Sequence, residues 1–169
     1  MSIKQFNGEW VAREDRVLFR FNTAQDQEFS FWLTRFVVKS LIQGTQQLAV
    51  QNLEKQHPPQ VAQAMQEFQQ QAVAQRANFQ ETYQAPSQKP LGNEPLLVTG
   101  LVINQNGDQT SIEFQLITQK SVNVQMNQSV LQVMITLLNK LQEVAQWGVG
   151  FESAPVALDV AAPTQTLMH

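Results

Sequence analysis

The strongest constraint on the fold is a change of apolar periodicity at Thr34. Before it, Phe29, Phe31 and Leu33 alternate with polar residues, as in a strand with one buried face. After it, apolar residues recur at helical spacing as far as Leu53. A threonine hydroxyl can accept a backbone N–H from the first helical turn, so Thr34 is predicted to be the N-cap. The segment therefore predicts a strand and a helix joined at one corner, with their apolar sides buried together.

The same succession recurs 93 residues further along the chain. Val122, Val124 and Met126 alternate, Asn127 stands where Thr34 stands, and a helical apolar pattern follows without a gap. One interpretation is an internal repeat. The other is that any two amphipathic strand–cap–helix segments align this well. In both cases each strand face must bury against the helix that follows it.

A β-hairpin is predicted immediately before Thr34. Its first strand alternates over residues 16–22, and register follows from setting apolar residues opposite each other, because a slip of one residue turns every side chain to the other face. That register makes three pairs: Val17–Leu33, Phe19–Phe31 and Phe21–Phe29. It leaves a loop at residues 24–26, in which Asp26 is the residue that tolerates a left-handed conformation.

A second hairpin is predicted around Asn106-Gly107, since this dipeptide between alternating segments is the strongest short hairpin signal. With these two residues as the turn, the predicted pairs are Gln105–Asp108, Ile103–Thr110, Leu101–Ile112 and Leu97–Leu116. The helix that follows the next strand is capped by Asn127, or by Ser129 if it begins later. Its wide apolar arc predicts the most buried helix, ending at Trp147 with Gly148 at the C′ position.

A helical hairpin is predicted between the two β regions. The first helix ends at His57, because the prolines that follow disfavour helical backbone before them. The second runs from about Pro59 to Tyr83, and its apolar stripe is Val61, Met65, Phe68, Ala72 and Phe79. The Gln-rich segment 66–75 reads as a solvated helix face, with pairing to a copy in another subunit as the other option.

Together these elements predict an α+β fold. An antiparallel sheet of five or six strands from two β-hairpin regions packs with the helical hairpin (about 34–83) and the buried helix (about 128–147). Residues 1–148 are predicted to form a single domain, since the length suits one core. The small, Pro-containing and mostly uncharged segment 149–169 is predicted to be an extended C-terminal tail.

Composition excludes several functional classes. Charged residues make up 15% of the chain, whereas roughly 25% is average, and 28 glutamines supply polarity without charge. The net charge of −3 argues against binding nucleic acid by phosphate neutralisation. Cysteine chemistry is excluded because the chain contains no Cys. No apolar run is long enough to span a bilayer and the N-terminus lacks a signal-peptide pattern, so the expectation is no membrane association and a cytoplasmic location.

Few residues have a pattern that indicates catalysis. His57 lies beside two prolines, His169 is the last residue, and no spacing typical of a metal site or nucleotide loop is present. Glu9, Glu14 and Asp15 could serve as an acid/base group, but the favoured interpretation is a solvated turn. The expectation is that the protein is not an enzyme and uses no metal or cofactor.

Trp32 is the residue that most directly suggests a binding surface. In the predicted register it lies opposite Leu18, on the face away from Phe19 and Phe31. Arg16 and Arg20 flank Leu18 on that face. Three interpretations are open: a second packed layer, a surface for a protein partner, or stacking on nucleic acid. The candidate partner-binding residues are Arg16, Leu18, Arg20 and Trp32.

The sequence thus favours a non-catalytic protein–protein interaction or assembly module that associates with itself, as a homodimer, or with another protein. The alternative is a small apolar-ligand binding or sensor protein, with a pocket between sheet and helices lined by residues such as Phe31, Phe114 and Met134. A carboxylate-based enzyme is the third hypothesis.

Overall fold

The computed structural model of the protein describes residues 1–76 and 81–148. Six strands and three helices follow one another in these ranges. The first half contains β1 (Ile3–Val11), β2 (Arg16–Thr23), β3 (Glu28–Thr34), α1 (Arg35–Glu54) and α2 (Pro59–Arg76). The second half contains β4 (Leu96–Asn106), β5 (Gln109–Leu116), β6 (Ser121–Asn127) and α3 (Gln128–Val144). The predicted α+β class is confirmed.

The six strands form one sheet whose spatial order equals their order in the chain. Neighbouring strands are antiparallel except for β3 and β4, which pair in parallel through Phe31–Leu96 and Trp32–Leu97. A parallel pair needs a long crossover connection, and α1 and α2 with the segment before β4 supply it. The sheet is therefore two antiparallel three-stranded units joined side by side.

The two units repeat element by element at the offset of 93 residues. Their elements begin at equivalent positions: Ile3 and Leu96, Arg16 and Gln109, Glu28 and Ser121, Arg35 and Gln128. Helix α2 is the only described element outside this correspondence. The strand–cap–helix similarity seen in the sequence thus extends to a whole βββα unit.

Both corners of the repeat form as the sequence predicts. The side-chain oxygen of Thr34 accepts a hydrogen bond from the Val37 N–H at 3.3 Å, and that of Asn127 accepts one from the Val130 N–H at 2.9 Å. Asn127, and not Ser129, is therefore the N-cap of α3. The β2–β3 register is also confirmed for every predicted pair, and Asp26 has the expected positive φ of 58°.

The predicted register of the second hairpin is wrong by two residues. Asn106 pairs with Gln109, so the turn is Gly107-Asp108 and Ile103 lies opposite Ile112. Gly107, with φ 59°, occupies the first central position, where a type II′ turn needs positive φ. From Gly100 to Asn106 the error is an even number of residues, so the side chains there still lie on the predicted face. The register shifts between Val98 and Gly100, so Leu116 pairs with Val98 instead of the predicted Leu97, and Val98 is the buried residue.

Strand β1 was not predicted. Phe6 and Trp10 share a face, but Gly8 between them breaks the apolar alternation. A Cβ atom at Gly8 would lie 2.5 Å from Cδ1 of Leu141 in α3. Because Gly8 has no side chain, helix α3 can pack closely against the strand. The same glycine interrupts the alternation by which a strand is recognised in the sequence.

The second helix of the predicted hairpin differs in length and orientation. Within the described residues α2 ends at Arg76, and Tyr83 lies in an irregular segment. The buried residues of α2 are Ala62 and Gln66, whereas Val61 and Phe68 are exposed. Of the predicted apolar stripe, Val61 and Phe68 are therefore exposed and Met65 and Ala72 are half-buried, while Phe79 lies outside the described residues.

The end of α3 also corrects the prediction. The helix ends at Val144, and Gln146, with φ 56°, takes the left-handed position expected for Gly148. The Gln146 and Trp147 N–H groups donate to the Glu143 and Gln142 carbonyls, which is a Schellman motif. The turn folds Trp147 back into the protein, where it is fully buried. Residues 149–169, the predicted tail, lie outside the described residues.

A single core lies between the inner face of the sheet and helices α1 and α3. Stacked or tilted phenyl rings connect β1, β2, β3 and β5 across it: Phe6, Phe19, Phe21, Phe29, Phe31 and Phe114. Helix α3 packs on β1 of the first unit, and α1 packs on β4 of the second. Each unit therefore covers its neighbour with its helix, and α2 lies against α1 and α3.

Candidate functional site

The four predicted partner-binding residues lie together on the outer face of the sheet. Leu18 and Trp32 are paired across β2 and β3. The Arg16 guanidinium carbon lies 3.8 Å from the centre of the Trp32 ring, a cation–π contact, and its Nε donates to Glu14 at 2.6 Å. Arg16, Leu18 and Trp32 are each half-buried. Tryptophan and arginine on this face thus contact each other within the chain.

Arg20 is held by neighbours from two directions. Its Nη2 donates to Asn7 Oδ1 at 2.8 Å, and its guanidinium carbon lies 5.6 Å from the centre of the Tyr83 ring. Tyr83 belongs to residues 81–89, which cross the outer face from α2 towards β4; we call these residues the strap. The strap therefore covers the β1 side of this face, while the Trp32 side lies next to it.

A buried carboxylate fastens the strap to the sheet. Glu28 is only 4% exposed, accepts a hydrogen bond from the Tyr83 hydroxyl at 3.0 Å and lies 3.6 Å from Lys89 Nζ. Burial, and then the hydrogen bond to Glu28, raise the pKa of the Tyr83 hydroxyl. Tyr83 therefore stays a neutral hydrogen-bond donor. The strap was not predicted, because it depends on a contact between residues far apart in the sequence.

A second polar cluster lies where α3 ends over the β1–β2 turn. Trp147 Nε1 donates to Asp15 Oδ1 at 2.7 Å, and Arg35 Nη2 lies 2.9 Å from Asp15 Oδ2. Trp10 Nε1 is 3.4 Å from Asp15 Oδ1. The hydrogen bond from Trp147 is the main cause of a lowered pKa of the Asp15 carboxyl, with further contributions from Trp10 and Arg35. We call Trp147, Asp15, Arg35 and Trp10 the Trp147 socket.

The three carboxylates of the enzyme hypothesis have different surroundings. Glu9 is exposed on β1, Glu14 pairs with Arg16, and Asp15 belongs to the Trp147 socket. A general acid working near neutral pH needs a raised pKa, whereas the pKa of Asp15 is lowered. Within the described residues no three His, Asp or Glu side chains lie close enough to hold a metal ion. His57 lies in the α1–α2 loop, and His169 is outside the described residues.

The residues suggested as the lining of an apolar ligand pocket are core residues. Phe31 and Phe114 stack with ring centres 5.1 Å apart, and Met134 is fully buried beside them in the same core. They stabilise the contact between the two sheet halves. A cavity with different walls lies at the C-terminal end of α1.

An exposed apolar surface lies on α2. Phe68 is 72% exposed and Val61 is 45% exposed, and both line a shallow groove with Ala64 and Met65. These four residues recur at spacings of three and four, so they share one side of the helix. We call them the α2 stripe. The sequence predicted an apolar stripe on this helix, and its options were packing against the first helix or pairing with a copy in another subunit.

Comparison with known proteins found no matching family model, no matching curated sequence and no matching solved structure. No helix among residues 1–76 and 81–148 combines the length and the apolar character needed to cross a membrane. The functional inference therefore depends on the surfaces and clusters described above.

Proposed function

We propose that this protein is a non-catalytic interaction module that forms a homodimer through the α2 stripe. The observation that carries the proposal is the exposure of Phe68, at 72%, on a helix whose opposite side buries Ala62 and Gln66. An apolar row with a polar border on an otherwise polar helix is typical of helix-to-helix association.

A second copy of the chain suits this surface because the border carries little charge. Gln60 and Gln69 line the same groove, and Glu67 is the nearest acidic residue along the helix. Two such helices packed antiparallel about Ala64 place Phe68 of one protomer against Val61 of the partner subunit. The small Ala64 side chain allows close approach, and no large block of like charges is brought together.

The expected dimer is weak. Stable complexes bury on the order of 800 Å² on each partner, and a stripe of two helical turns supplies only part of such an area. We therefore expect dissociation in the micromolar range, with association increasing over that range of protein concentration.

Sedimentation velocity of the parent and of Phe68→Gln, over a dilution series, tests the proposal. The parent should shift from monomer to dimer with rising concentration, and the variant should remain monomeric because its stripe is interrupted. Phe36→Gln is the matched control, since Phe36 is 79% exposed on α1 and outside the stripe. A parent that stays monomeric at high micromolar concentration, or a dimer unaffected by Phe68→Gln, would contradict the proposal.

The outer face is proposed as a second surface, for a different protein partner. Its support is the clustering of Arg16, Leu18, Arg20 and Trp32 beside the strap, with Trp and Arg being the residue types most enriched at binding hot spots. Trp32→Ala should reduce capture of that partner from a lysate of the native host without changing the dimer. Unchanged capture would contradict the role of this face.

The absence of Cys from the sequence fits the proposed cytoplasmic location.

A further inference from the structure

A cavity of about 420 Å³ lies beside the β4–β5 turn. Its walls come from the C-terminal half of α1, from α2, from the turn itself and from the beginning of α3. The lining includes Ala49, Leu53, Gln66, Asp108 and Leu131. Its size lies within the range of small-molecule sites, about 300–1,000 Å³. We call it the Asp108 cavity.

The Asp108 cavity occupies the place in the second unit that the Trp147 socket occupies in the first. Asp108 follows β4 as Asp15 follows β1, at the repeat offset of 93 residues. Gln128, another wall residue, begins α3 as Arg35 begins α1. In each case the helix of the other unit ends above the site: α3 over Asp15 and α1 over Asp108.

The two sites differ in how the covering helix ends. Helix α3 stops at Val144, and the left-handed Gln146 directs the Trp147 ring into its socket. Helix α1 continues past Gln51, the equivalent of Val144, to Glu54. It places Ala49 and Leu53 on the cavity wall, and no indole of this chain lies among the lining residues.

The cavity contains one buried hydrogen-bond acceptor that has no donor among the residues that the structure describes. Gln66 is 5% exposed, lines the cavity, and its Oε1 accepts no hydrogen bond within the part of the chain that is described. A buried oxygen left without a donor costs stability, so a ligand that donates to it gains affinity. Asp108 is the only charged residue among the described lining residues; it is exposed at the edge of the cavity, where its carboxylate can accept a hydrogen bond.

We infer that the Asp108 cavity binds a small, uncharged aromatic molecule that carries a ring N–H, of the indole class. The occupied socket shows the chemistry: an indole ring lies beneath Arg35, at 5.6 Å, with its N–H on the carboxylate of Asp15. In the cavity Leu53, Ala49 and Leu131 supply apolar walls for such a ring, and Asp108 and Gln66 supply acceptors. An anionic ligand is disfavoured, because no Lys, Arg or His is among the described lining residues.

Titration of the full chain with indole, followed by amide chemical shifts in NMR, tests the inference. Indole should shift the resonances of residues around Asp108, Gln66 and Leu131 in a saturable manner. Benzothiophene, which has a similar shape and no N–H, should bind at least about tenfold more weakly, because a hydrogen bond to a charged acceptor contributes more than a neutral one. Indole-3-carboxylate should also bind more weakly than indole.

Two variants locate the site. Asp108→Ala should weaken indole binding about tenfold by removing the charged acceptor. Ala49→Phe should abolish binding by filling the cavity. The matched control is Gln47→Phe, since Gln47 is exposed on the same helix and outside the cavity wall. A thermal melt of each variant separates loss of the site from loss of the fold.

Several results would overturn the inference. These are no saturable shift at millimolar indole, equal binding of benzothiophene, or unchanged binding by the Asp108→Ala variant. N-acetyltryptophanamide represents a tryptophan residue of a polypeptide. If it binds as tightly as indole or more tightly, the ligand would be a tryptophan of another protein and not a free small molecule. The outcome is independent of the proposed dimer, because Phe68→Gln should leave indole binding unchanged and Asp108→Ala should leave the dimer unchanged.

Discussion

The two βββα units have the same elements at the same offset, yet they complete their helix–turn sites differently. In the first unit Trp147 fills the space beside Asp15 and donates to it at 2.7 Å. In the second, the equivalent space beside Asp108 is a cavity of about 420 Å³. Helix α3 ends early, with the left-handed Gln146 and then Trp147, whereas α1 continues to Glu54, the residue at the position equivalent to Trp147. One copy of the site is thus filled by a side chain of the protein itself, and the other is left open.

The helix–strand contacts show a second difference between the units. Where α3 covers β1, the strand supplies Gly8 and the helix supplies Leu137 and Leu141. Where α1 covers β4, the helix supplies Gly44, whose Cβ would lie 2.9 Å from Cδ1 of Ile103 on the strand. The glycine is thus on the strand in one unit and on the helix in the other. Both contacts are close because a glycine packs against a large aliphatic side chain in each case.

The largest expected effect is on the filled socket. Trp147→Ala should lower the free energy of unfolding by about 3–5 kcal/mol, because it removes a fully buried indole and leaves Asp15 without its closest donor. Urea unfolding measures the loss. Trp32→Ala serves as the comparison and should cost clearly less, since Trp32 is only half-buried. Similar losses for the two variants would show that the socket is not a main source of stability.

The next effect concerns the two glycines. Gly8→Ala should cost about 1–3 kcal/mol, because the new Cβ would overlap Leu141 in a packed core. Gly44→Ala should change stability by less than about 1 kcal/mol, since alanine's better helix propensity offsets the displacement of one Ile103 methyl group. Urea unfolding of both variants measures these changes in stability. Equal losses for Gly8→Ala and Gly44→Ala would contradict the difference described between the two helix–strand contacts.

The two N-caps should have similar energies, in keeping with the repeat. Thr34→Ala and Asn127→Ala should each lower the free energy of unfolding by about 1 kcal/mol, as each removes the acceptor for one N–H of the first helical turn. Ser129→Ala is the control and should have almost no effect, because Ser129 is not the cap. A large effect at Ser129 would mean that α3 begins later than described.

The smallest effect is a dependence on pH. The pKa of Asp15 is lowered in the folded protein, so its contribution to stability is present above its unfolded value, about 3.9, and is lost as pH falls through the folded value. The difference in stability between the parent and Asp15→Asn should therefore be constant near neutrality and shrink below about pH 4. Asparagine also tolerates the φ of 47° at this position. A difference that does not change with pH would contradict the role of the carboxylate charge.

Much of the fold could be predicted from local patterns. The β2–β3 register followed from Phe19, Phe21 and their partners, because only one pairing sets all three apolar residues of one strand opposite apolar residues of the other. The caps at Thr34 and Asn127 followed from polar residues placed between two periodicities. These features depend on neighbours within a few residues.

Less of the candidate sites could be predicted. The grouping of Arg16, Leu18, Arg20 and Trp32 on one face was foreseen, and their role in binding a partner stays a prediction. The bond from Trp147 to Asp15 and the bond from Tyr83 to Glu28 were not foreseen, since each joins residues that are distant in the chain. The only local signal was a tryptophan placed just beyond the apolar arc of a helix.

The sequence by itself determined five of the six strands, the two capped corners at Thr34 and Asn127, and the β2–β3 register. Tertiary structure decided which side of α2 is buried, and it selected Ala62 and Gln66 over the more apolar Val61 and Phe68. It also made β1 a strand, by placing Leu141 against Gly8. The physical reason is that periodicity reports the preferences of one segment, whereas burial depends on the space left by all the others.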